Sequence, residues 1–497
     1  MPEARTWQFR WWRNAPREQR RTVRFVAASA VTGLVVATGA VAAAGPWDSG
    51  QRKAERARAA AVPATGGERH AGPRHPRAAP VLAPLGGQGG ATGGKSGRAA
   101  APAPTRDGLT GALKPLLEDD GLGPDRSASV VDVATGEQLY GADQDTAYTP
   151  ASTVKLATAA AALSALGPDH RIDTTVVTGK DGIVLVGGGD PTLTVRQGTA
   201  DASLRTLADA TARALKARGT TRTKLTYDTS RYSGPAQHVI GPNENIAPMS
   251  ALMIDEGRQD GSDRGPAERS ADPAADAAGE FASLLRERGV EIDGDPSGGS
   301  APAKAERLAV VSSPPLSALV ERALTNSDND IAEALARQTA LASGQPASFE
   351  GAAKAVTDRL TKLGLPTSGA RIADGSGLDR ADQVSAALLS QLLARAADPD
   401  HPELRPVLTG LPVAGFSGTL RSRYGSEDGA GAGSAGRGVV RAKTGTLTGV
   451  NSLAGTAVDA DGRLLAFAFL TSGTGDPDGA QRALDRLATA VAGCGCR

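Results

Sequence analysis

The sequence predicts an α/β fold in which an antiparallel sheet is flanked by helices and the chain carries an inserted α/β subdomain. Alternating apolar residues on either side of a Thr-Gly turn predict a hairpin from residues 129–133 and 138–140. A second pair of such runs, 452–458 and 463–470, flanks an Asp-Ala-Asp-Gly turn near the other end. Apolar residues at helical spacing follow at 476–492. We therefore expect strands from both ends of the chain to share one sheet, faced by the terminal helices.

The chain has 497 residues, which is enough for more than one domain. Residues 25–45 carry no charge and follow an arginine-rich leader. Two interpretations of this segment stay open. It is a retained transmembrane anchor with its N-terminus in the cytoplasm, or a secretory signal that is cut near residues 42–44. Both interpretations place the rest of the chain outside the membrane.

Differences in composition divide the rest of the chain into a linker, a catalytic domain and an inserted subdomain. Residues 46–106 are rich in Pro, Gly, Ala and Arg without apolar periodicity, which predicts a disordered linker. Residues 172–310 alternate short strands and helices with many turn residues, and this stretch is long enough for an inserted domain. The predicted parts are a basic cytoplasmic leader at 1–24, an anchor or signal segment at 25–45, a linker at 46–106, a catalytic domain made of 107–171 and 311–493, and an inserted subdomain at 172–310.

The overall charge of +1 hides an asymmetry. Residues 1–106 hold 17 basic and 5 acidic residues, so the rest of the chain is net acidic. Anionic lipid or wall polymer would attract the basic part, whereas the acidic part argues against a nucleic-acid enzyme. Cys494 and Cys496 are the two cysteines, which excludes a cysteine nucleophile or a thiolate metal site in the body of the chain. We expect them to lie in an exposed tail, because a disulfide between positions so close in sequence would be strained.

The first candidate for catalysis is Ser152, with Lys155 three residues later. Thr149 and Pro150 are typical of a helix cap and a first helical residue, and Gly167 suits the helix end. The spacing of three places the serine and the lysine on one face of that helix. A serine hydroxyl is a weak nucleophile until a neighbour takes its proton, and a buried neutral lysine can do so. Ser-x-x-Lys alone is a loose pattern, but it occurs only once in this chain.

The second candidate, Ser327-Asp328-Asn329, lies between two helical runs at 316–324 and 331–341. A break between helices can point Ser327 and Asn329 into a cleft. Ser327 could then relay a proton between Lys155 and a leaving nitrogen, and Asn329 could hold a substrate amide. A turn with a helix cap would explain the same residues without any catalytic role.

The third candidate, Lys443-Thr444-Gly445-Thr446, ends a short run that predicts an edge strand. Substrate backbone could pair with this edge, and Gly445 would allow the substrate to approach closely. Lys443 and the two threonine hydroxyls offer positive charge and hydrogen-bond donors to a carboxylate. The backbone N–H groups of Thr446 and Ser152 could form an oxyanion hole. A loop with a solvated lysine is the alternative.

The three boxes occur once each, in the order shared by penicillin-binding proteins and class A β-lactamases. Ser152 and Ser327 are 175 positions apart, which leaves room for a large insertion and narrows the choice among the families that share the three boxes. Further segments resemble those of the D-Ala-D-Ala carboxypeptidase/endopeptidase family, the class C low-molecular-mass penicillin-binding proteins. These segments are LVGGGDPTL at 185–193, Ala-Pro at 247–248, Asp-Glu-Gly at 255–257, Asp-Asn at 328–329 running on to Ala-Glu at 332–333, and DGSGL at 374–378.

The resemblance covers roughly residues 109–490 and implies a transpeptidase/β-lactamase-like domain that is split by the insertion. The expected activity is serine-type hydrolysis of peptidoglycan stem peptides ending in D-Ala-D-Ala, as carboxypeptidase, endopeptidase or both. β-Lactams are the expected inhibitors, and neither a cofactor, a metal nor nucleic acid is implied. The resemblance gives these roles: Ser152 is acylated, Lys155 is the general base, Ser327 and Asn329 complete the proton relay and the amide binding, and Lys443, Thr444 and Thr446 bind the terminal carboxylate.

Two alternatives remain, a β-lactamase and a catalytically inert penicillin-recognising module. No Glu-x-x-x-Asn box follows the Ser-Lys helix, and an inert module would not need both Lys155 and Lys443. A Ser-His-Asp hydrolase is disfavoured because no Gly-x-Ser-x-Gly elbow stands out, and a zinc hydrolase because no His-x-x-x-His or Cys pair lies in the body of the chain. The run Asp379-Arg380-Ala381-Asp382 departs from the family's usual polar run, so the resemblance does not predict which residues form this edge of the site.

Overall fold

The computed structural model describes residues 101–196, 202–425 and 434–496. In chain order, the strands of this part are β1 (Asp125–Asp132), β2 (Gln138–Ala142), β3 (Ala147–Tyr148), β4 (Asp173–Thr178), β5 (Gly182–Val186), β6 (Arg222–Asp228), β7 (Glu291–Ile292), β8 (Ser297–Gly298), β9 (Arg307–Ser312), β10 (Val384–Ser385), β11 (Val440–Leu447), β12 (Val450–Val458) and β13 (Leu464–Ser472). The α-helices are α1 (Arg106–Leu117), α2 (Lys155–Leu166), α3 (Leu204–Ala217), α4 (Pro273–Glu287), α5 (Leu316–Asn326), α6 (Asn329–Ala342), α7 (Phe349–Lys362), α8 (Ala386–Ala397), α9 (Arg405–Thr409) and α10 (Pro477–Ala492).

Strands from both ends of the chain form one five-stranded antiparallel sheet, in the order β11-β12-β13-β1-β2. The two predicted hairpins are β1-β2 and β12-β13. β1 joins them, because it pairs with β13 along its whole length, from Asp125 opposite Ser472 to Asp132 opposite Leu465. The predicted antiparallel sheet shared by both ends is thereby confirmed.

Side chains alternate between the two faces along β13, and each face of the sheet lies in a separate hydrophobic core. Phe467 and Phe469 point to one face, where they pack with apolar residues of α1 and α10. Ala466 and Ala468 point to the other face and join the core that contains α2, α5, α6, α7 and α8. Alanine on this face lets the helices lie close to the sheet. α8 lies against this face, next to β13 and β1, and α2, which follows Ser152, packs against α6 and α7 within the same core.

A second sheet has the order β7-β6-β5-β4-β9, with β8 paired to β6, and all its strands fall between Asp173 and Ser312. β4 is antiparallel to β5 and β9, whereas β5 and β6 are parallel. α3 and α4 pack on this sheet through residues such as Leu207 and Phe281. The boundaries of the inserted subdomain, 172–310, stay a prediction.

The predictions for residues 1–24, 25–45 and most of the linker lie outside the described residues. Within the part of the chain that the structure describes, no helix combines the length and the apolar character needed to cross a membrane.

Three local predictions were wrong. Thr149 does not cap the helix, because its hydroxyl donates to the carbonyl of Arg380 (3.2 Å) and a 3₁₀ turn, Ala151–Val154, precedes α2. The Lys-Thr-Gly box lies inside β11 and not at the end of a strand. Cys494 is buried at 2% exposure and is joined to Cys496 by a disulfide, so the expected exposed tail is not what the structure contains.

Candidate active site

Ser152 lies in the 3₁₀ turn before α2, at a point where the backbone is tightly constrained. The preceding residue, Ala151, has a φ of +47°, which costs free energy for any residue with a side chain. The carbonyl of Ala151 lies so close to Gly377 that a Cβ at position 377 would collide with it. The turn therefore depends on the backbone of the 374–379 segment, and Ser152 itself stays half-exposed.

Lys155 is buried at 1% exposure and its ammonium nitrogen contacts three oxygens. Nζ lies 2.9 Å from Ser152 Oγ, 2.6 Å from Asn329 Oδ1 and 2.5 Å from the carbonyl oxygen of Ser376. Burial lowers the pKa of Lys155 to about 8, although the negative charges of buried carboxylates, above all Asp374, oppose the shift. A pKa near 8 leaves roughly a tenth of the lysine neutral at pH 7.

The three partners of Lys155 are chemically different in a way that orients a neutral amine. An amide oxygen and a backbone carbonyl can only accept hydrogen bonds, whereas a serine hydroxyl can donate or accept. A neutral amine has two N–H groups and one lone pair. Asn329 and Ser376 engage the two N–H groups, so the lone pair is left facing the hydroxyl of Ser152. This arrangement suits transfer of the hydroxyl proton to Lys155.

Ser327 and Lys443 form a second group of contacts. Ser327 lies between α5 and α6 with a φ of +58°, and its hydroxyl lies 2.8 Å from Lys443 Nζ. Lys443 is fully buried and also donates to the carbonyl of Thr444 (2.6 Å). Burial, and after it the charge of Lys155, hold the pKa of Lys443 well below its usual range. The described contacts thus place the predicted residues in two groups, one around Lys155 and one around Lys443.

β11 is the edge strand of the described sheet, with β12 as its neighbour. The 412–414 segment pairs with the start of its other edge, opposite Arg441, and the part of β11 from Lys443 onward lies beyond that pairing. Alternation puts Thr444 and Thr446 on one side of the strand, where Thr446 is exposed and the Thr444 hydroxyl donates to Thr419 (2.9 Å). Gly445 lies on the other side. A Cβ there would lie 2.5 Å from the carbonyl oxygen of Pro150 and would collide with Ser452 Oγ. The structure thus gives Gly445 a role within the protein itself, since it lets β11 lie against the turn that carries Ser152.

Asn329 links the catalytic lysine to the segment around residue 245. Its side-chain nitrogen donates to the carbonyl of Asn245 (2.9 Å), while its oxygen accepts from Lys155. The next residue, Asp330, accepts from the backbone N–H of Ala247 (2.9 Å) and from Arg269 (2.8 Å). Arg269 also donates to the carbonyl of Glu256 (2.6 Å). The sequence boxes at 247–248 and 255–257 therefore contribute to the support of Asn329 through its neighbour Asp330, which the sequence alone did not indicate.

The carbonyl of Ser376 is the contact that sequence reasoning missed. The DGSGL segment was part of the family resemblance, but a backbone carbonyl has no signature in the sequence. Ser376, Asp374 and His238 do contain the residue types of a Ser-His-Asp triad, yet both Ser376 Oγ (3.0 Å) and His238 Nε2 (2.9 Å) lie against the same oxygen of Asp374. The carboxylate is between the other two, and all three side chains are buried. This order does not activate Ser376.

Two buried clusters of the described residues hold carboxylate or imidazole atoms close enough for a cation, one of them His238, Glu333 and Asp374 and the other Glu256, Asp328 and Asp330. In the first cluster both carboxylates accept backbone N–H groups of the 374–379 segment. In the second, arginines pair with Glu256 and Asp330. Hydrogen bonds and ion pairs thus engage both carboxylates of the first cluster and two of the three in the second, which is typical of structural clusters.

A serine beside a buried lysine on an antiparallel sheet flanked by helices defines a serine hydrolase with the transpeptidase/β-lactamase-like fold. Comparison with known proteins narrows this class. Residues 109–262 and 258–491 match the model of the D-Ala-D-Ala carboxypeptidase 3 (S13) family. The chain belongs to this family.

Relatives agree with that assignment. A carboxypeptidase of Mycobacterium tuberculosis is 39% identical over 414 residues, which span 79% of this chain and 85% of the relative. The carboxypeptidase DacB of Mycolicibacterium smegmatis is 39% identical over 413 residues, 80% of this chain and 86% of that protein. The solved structure of penicillin binding protein 4 (dacB) from Haemophilus influenzae has the same fold, with a TM-score of 0.61 at 24% identity over 77% of this chain and 97% of that one. The predicted family, fold and enzyme class, a serine-type D-Ala-D-Ala carboxypeptidase, are confirmed.

Proposed function

We propose that the chain hydrolyses peptidoglycan stem peptides that end in D-Ala-D-Ala, through an acyl intermediate on Ser152. The observation that carries this proposal is the set of three contacts around Lys155, which directs the amine toward Ser152 Oγ. In the first step Ser152 Oγ attacks the carbonyl carbon of the penultimate D-Ala and Lys155 takes the hydroxyl proton. The C–N bond then breaks, and the terminal residue leaves as an amine.

The leaving amine needs a proton, and we assign its delivery to Ser327. Its hydroxyl lies 2.8 Å from Lys443 and can pass on the proton that Lys155 took from Ser152. Water then attacks the acyl group with Lys155 as base again, which restores Ser152 and releases the shortened peptide. Bonds and protons balance over the two steps, and water is the one co-reactant.

In this proposal the substrate binds along β11, on the strand side of the site, where Lys443 lies. The substrate backbone pairs with the edge of β11 from Lys443 onward, and its carboxylate meets Lys443 and the hydroxyls of Thr444 and Thr446. Asn329 holds the substrate amide next to Lys155. The backbone N–H groups of Ser152 and Thr446 stabilise the oxyanion, and removal of one such donor typically lowers kcat by about 10²- to 10³-fold.

The same chemistry serves a carboxypeptidase and an endopeptidase, because both cut a peptide bond on the C-terminal side of a D-Ala. We propose that the enzyme cleaves both the terminal D-Ala-D-Ala bond and the cross-link that follows a D-Ala. β-Lactams acylate Ser152 in this proposal, because their carbonyl group resembles that of the peptide. The substrate places the enzyme outside the cytoplasm. The uncharged run at 25–45 supports an attachment to the membrane with the leader inside.

The test uses the wild-type chain, Ser152→Ala and a control variant, Ser283→Ala, whose exposed hydroxyl donates to its own helix. The wild type and the control should be labelled by a fluorescent penicillin and should release D-Ala from purified muropeptides. Ser152→Ala should do neither. Retained release of D-Ala by Ser152→Ala would overturn the acyl-enzyme proposal. Rapid loss of the label with return of free enzyme would instead point to a β-lactamase.

A further inference from the structure

Lys155 depends on a carbonyl whose position is set elsewhere in the molecule. The carbonyl of Ser376 is one of the two oxygens that engage the N–H groups of Lys155, and it belongs to the 374–379 segment. The other oxygen belongs to Asn329, at the start of α6. A displacement of this carbonyl would turn the lone pair of Lys155 away from Ser152. The groups that fix the 374–379 segment therefore bear on the orientation of the base.

The carboxylate of Asp374 shapes this segment from within. Its Oδ1 accepts from the backbone N–H groups of Ser376 (3.0 Å) and Gly377 (2.5 Å), and its Oδ2 from those of Leu378 (3.0 Å) and Asp379 (2.8 Å). Four consecutive N–H groups thus converge on one buried side chain. Burial alone would raise the pKa of Asp374, but hydrogen bonds to its charged form from His238, Asp382 and the backbone N–H of Gly377 lower it to about 2.

α6 holds the same segment from a second direction. Glu333 Oε1 accepts from the N–H groups of Gly375 (2.8 Å) and Ser376 (2.9 Å). Glu333 pairs with Arg337 (3.1 Å), whose guanidinium lies over the ring of Phe349. Because Asn329 and Glu333 are one helical turn apart, α6 supports both oxygens that engage Lys155.

His238 lies in the stretch between β6 and α4, which is far in sequence from the helix that carries Lys155. Its ring is fully buried, edge-on to Phe349, with Nε2 2.9 Å from Asp374 Oδ2. The backbone N–H of Ile240 donates to Nδ1 (3.3 Å), which leaves the hydrogen on Nε2, where it is donated to Asp374. The histidine is thus an oriented donor to the carboxylate that shapes the segment.

We propose that His238 is a positioning residue for the general base, acting on Lys155 through Asp374 and the carbonyl of Ser376. A residue of the predicted insertion thereby contributes to acylation without contact with the substrate. This inference rests on the proposed roles of Ser152 and Lys155. It assigns to the histidine a role that a mere core residue would not have, because the orientation of Lys155 affects the acylation step and not the initial binding of a β-lactam.

The experiment measures acylation by benzylpenicillin over a range of concentrations, so that the initial dissociation constant and the acylation rate constant are obtained separately. The variants are His238→Phe, which keeps a ring and loses the donor, and His238→Gln, which places an N–H near the position of Nε2. His401→Phe is the matched control, since His401 pairs with Glu403 on the surface (3.0 Å). We expect His238→Phe to lower the acylation rate constant about 10- to 100-fold with an unchanged dissociation constant. His238→Gln should stay within about threefold of the wild type, and the control should not change.

A folded His238→Phe with the wild-type rate constant would overturn the inference, and so would an equal loss in His238→Phe and His238→Gln. If His238→Phe does not fold, His238→Asn replaces it, because its shorter amide ends before Asp374. A lower rate constant for Asn than for Gln supports the inference, and equal rate constants contradict it. Wild-type protein that is not labelled at Ser152 would instead contradict the proposed function and would say nothing against the contacts of His238.

Discussion

The two buried lysines of the site are held in different ways. Lys155, on the helix side, contacts an amide oxygen, a carbonyl from a distant loop and Ser152, and buried carboxylates partly offset the effect of burial on its pKa. Lys443, on the strand side, contacts Ser327 and the carbonyl of its own neighbour, and both burial and the charge of Lys155 lower its pKa. The helix side is therefore built to gain and lose a proton near neutral pH. On the strand side, no carboxylate of the described residues raises the pKa of Lys443.

The largest effect is expected at Lys155. Lys155→Arg keeps a positive charge but cannot give up its proton, so Ser152 loses its base. The acylation rate constant should fall by about 10²- to 10⁴-fold. Lys354→Arg is the control, because Lys354 pairs with Asp358 on the surface (2.6 Å). Lys155→Arg with more than a tenth of the wild-type rate would show that the helix side does not supply the base.

A smaller effect is expected at Lys443. Lys443→Met preserves much of the volume and removes the group that meets the substrate carboxylate. A hydrogen bond to a charged group contributes about 1.5–3 kcal/mol, so kcat/KM for a peptide with a free C-terminus should fall about 10- to 150-fold. The same peptide with an amidated C-terminus should lose much less. An equal loss for both peptides would mean that Lys443 does not recognise the carboxylate.

The strand side should also take up a proton when an anion binds. A carboxylate beside Lys443 favours its charged form, which raises a pKa that is low in the free protein. Titration calorimetry of Ser152→Ala with a D-Ala-D-Ala peptide, in buffers of different ionisation enthalpy, should detect a net uptake of protons on binding. Lys443→Met should abolish this uptake. Uptake that persists in Lys443→Met would place the proton on another group.

Gly445→Ala tests how tightly β11 packs against the turn that carries Ser152. The added methyl group would collide with Ser452 Oγ and meet the carbonyl of Pro150, which pushes β11 away from the turn at Ser152. Overpacking of this kind typically costs about 1–3 kcal/mol of unfolding free energy, and denaturant unfolding would measure it. Gly111→Ala is the control, since a Cβ there meets no atom within 4 Å. An unchanged stability in Gly445→Ala would show that the two sides are less tightly joined than the distances indicate.

Sequence patterns were sufficient for the sheet and for the three boxes. The alternation in 129–133 and 452–458 places one face of each strand in a core, which is a local signal. The boxes carry their chemistry in side chains, so Ser152, Lys155 and Lys443 could be found by type and spacing. The sequence did not indicate which residues hold Lys155 in place. Ser376 contacts Lys155 through a backbone carbonyl, which has no sequence signature, and His238 contacts Asp374 although the two are 136 positions apart in the chain. The turn at Ala151 was also missed, since tertiary contact with Gly377 overrides the local preference for a capped helix.

The protonation of Lys155 is tested most directly by the pH dependence of acylation by benzylpenicillin. Only the neutral amine accepts the proton of Ser152, so the rate constant should rise with pH and level off above the pKa of Lys155. The expected midpoint is about pH 8. A midpoint near the ordinary lysine pKa of about 10.4 would contradict a buried, partly neutral base, and so would a rate constant that does not change across this range.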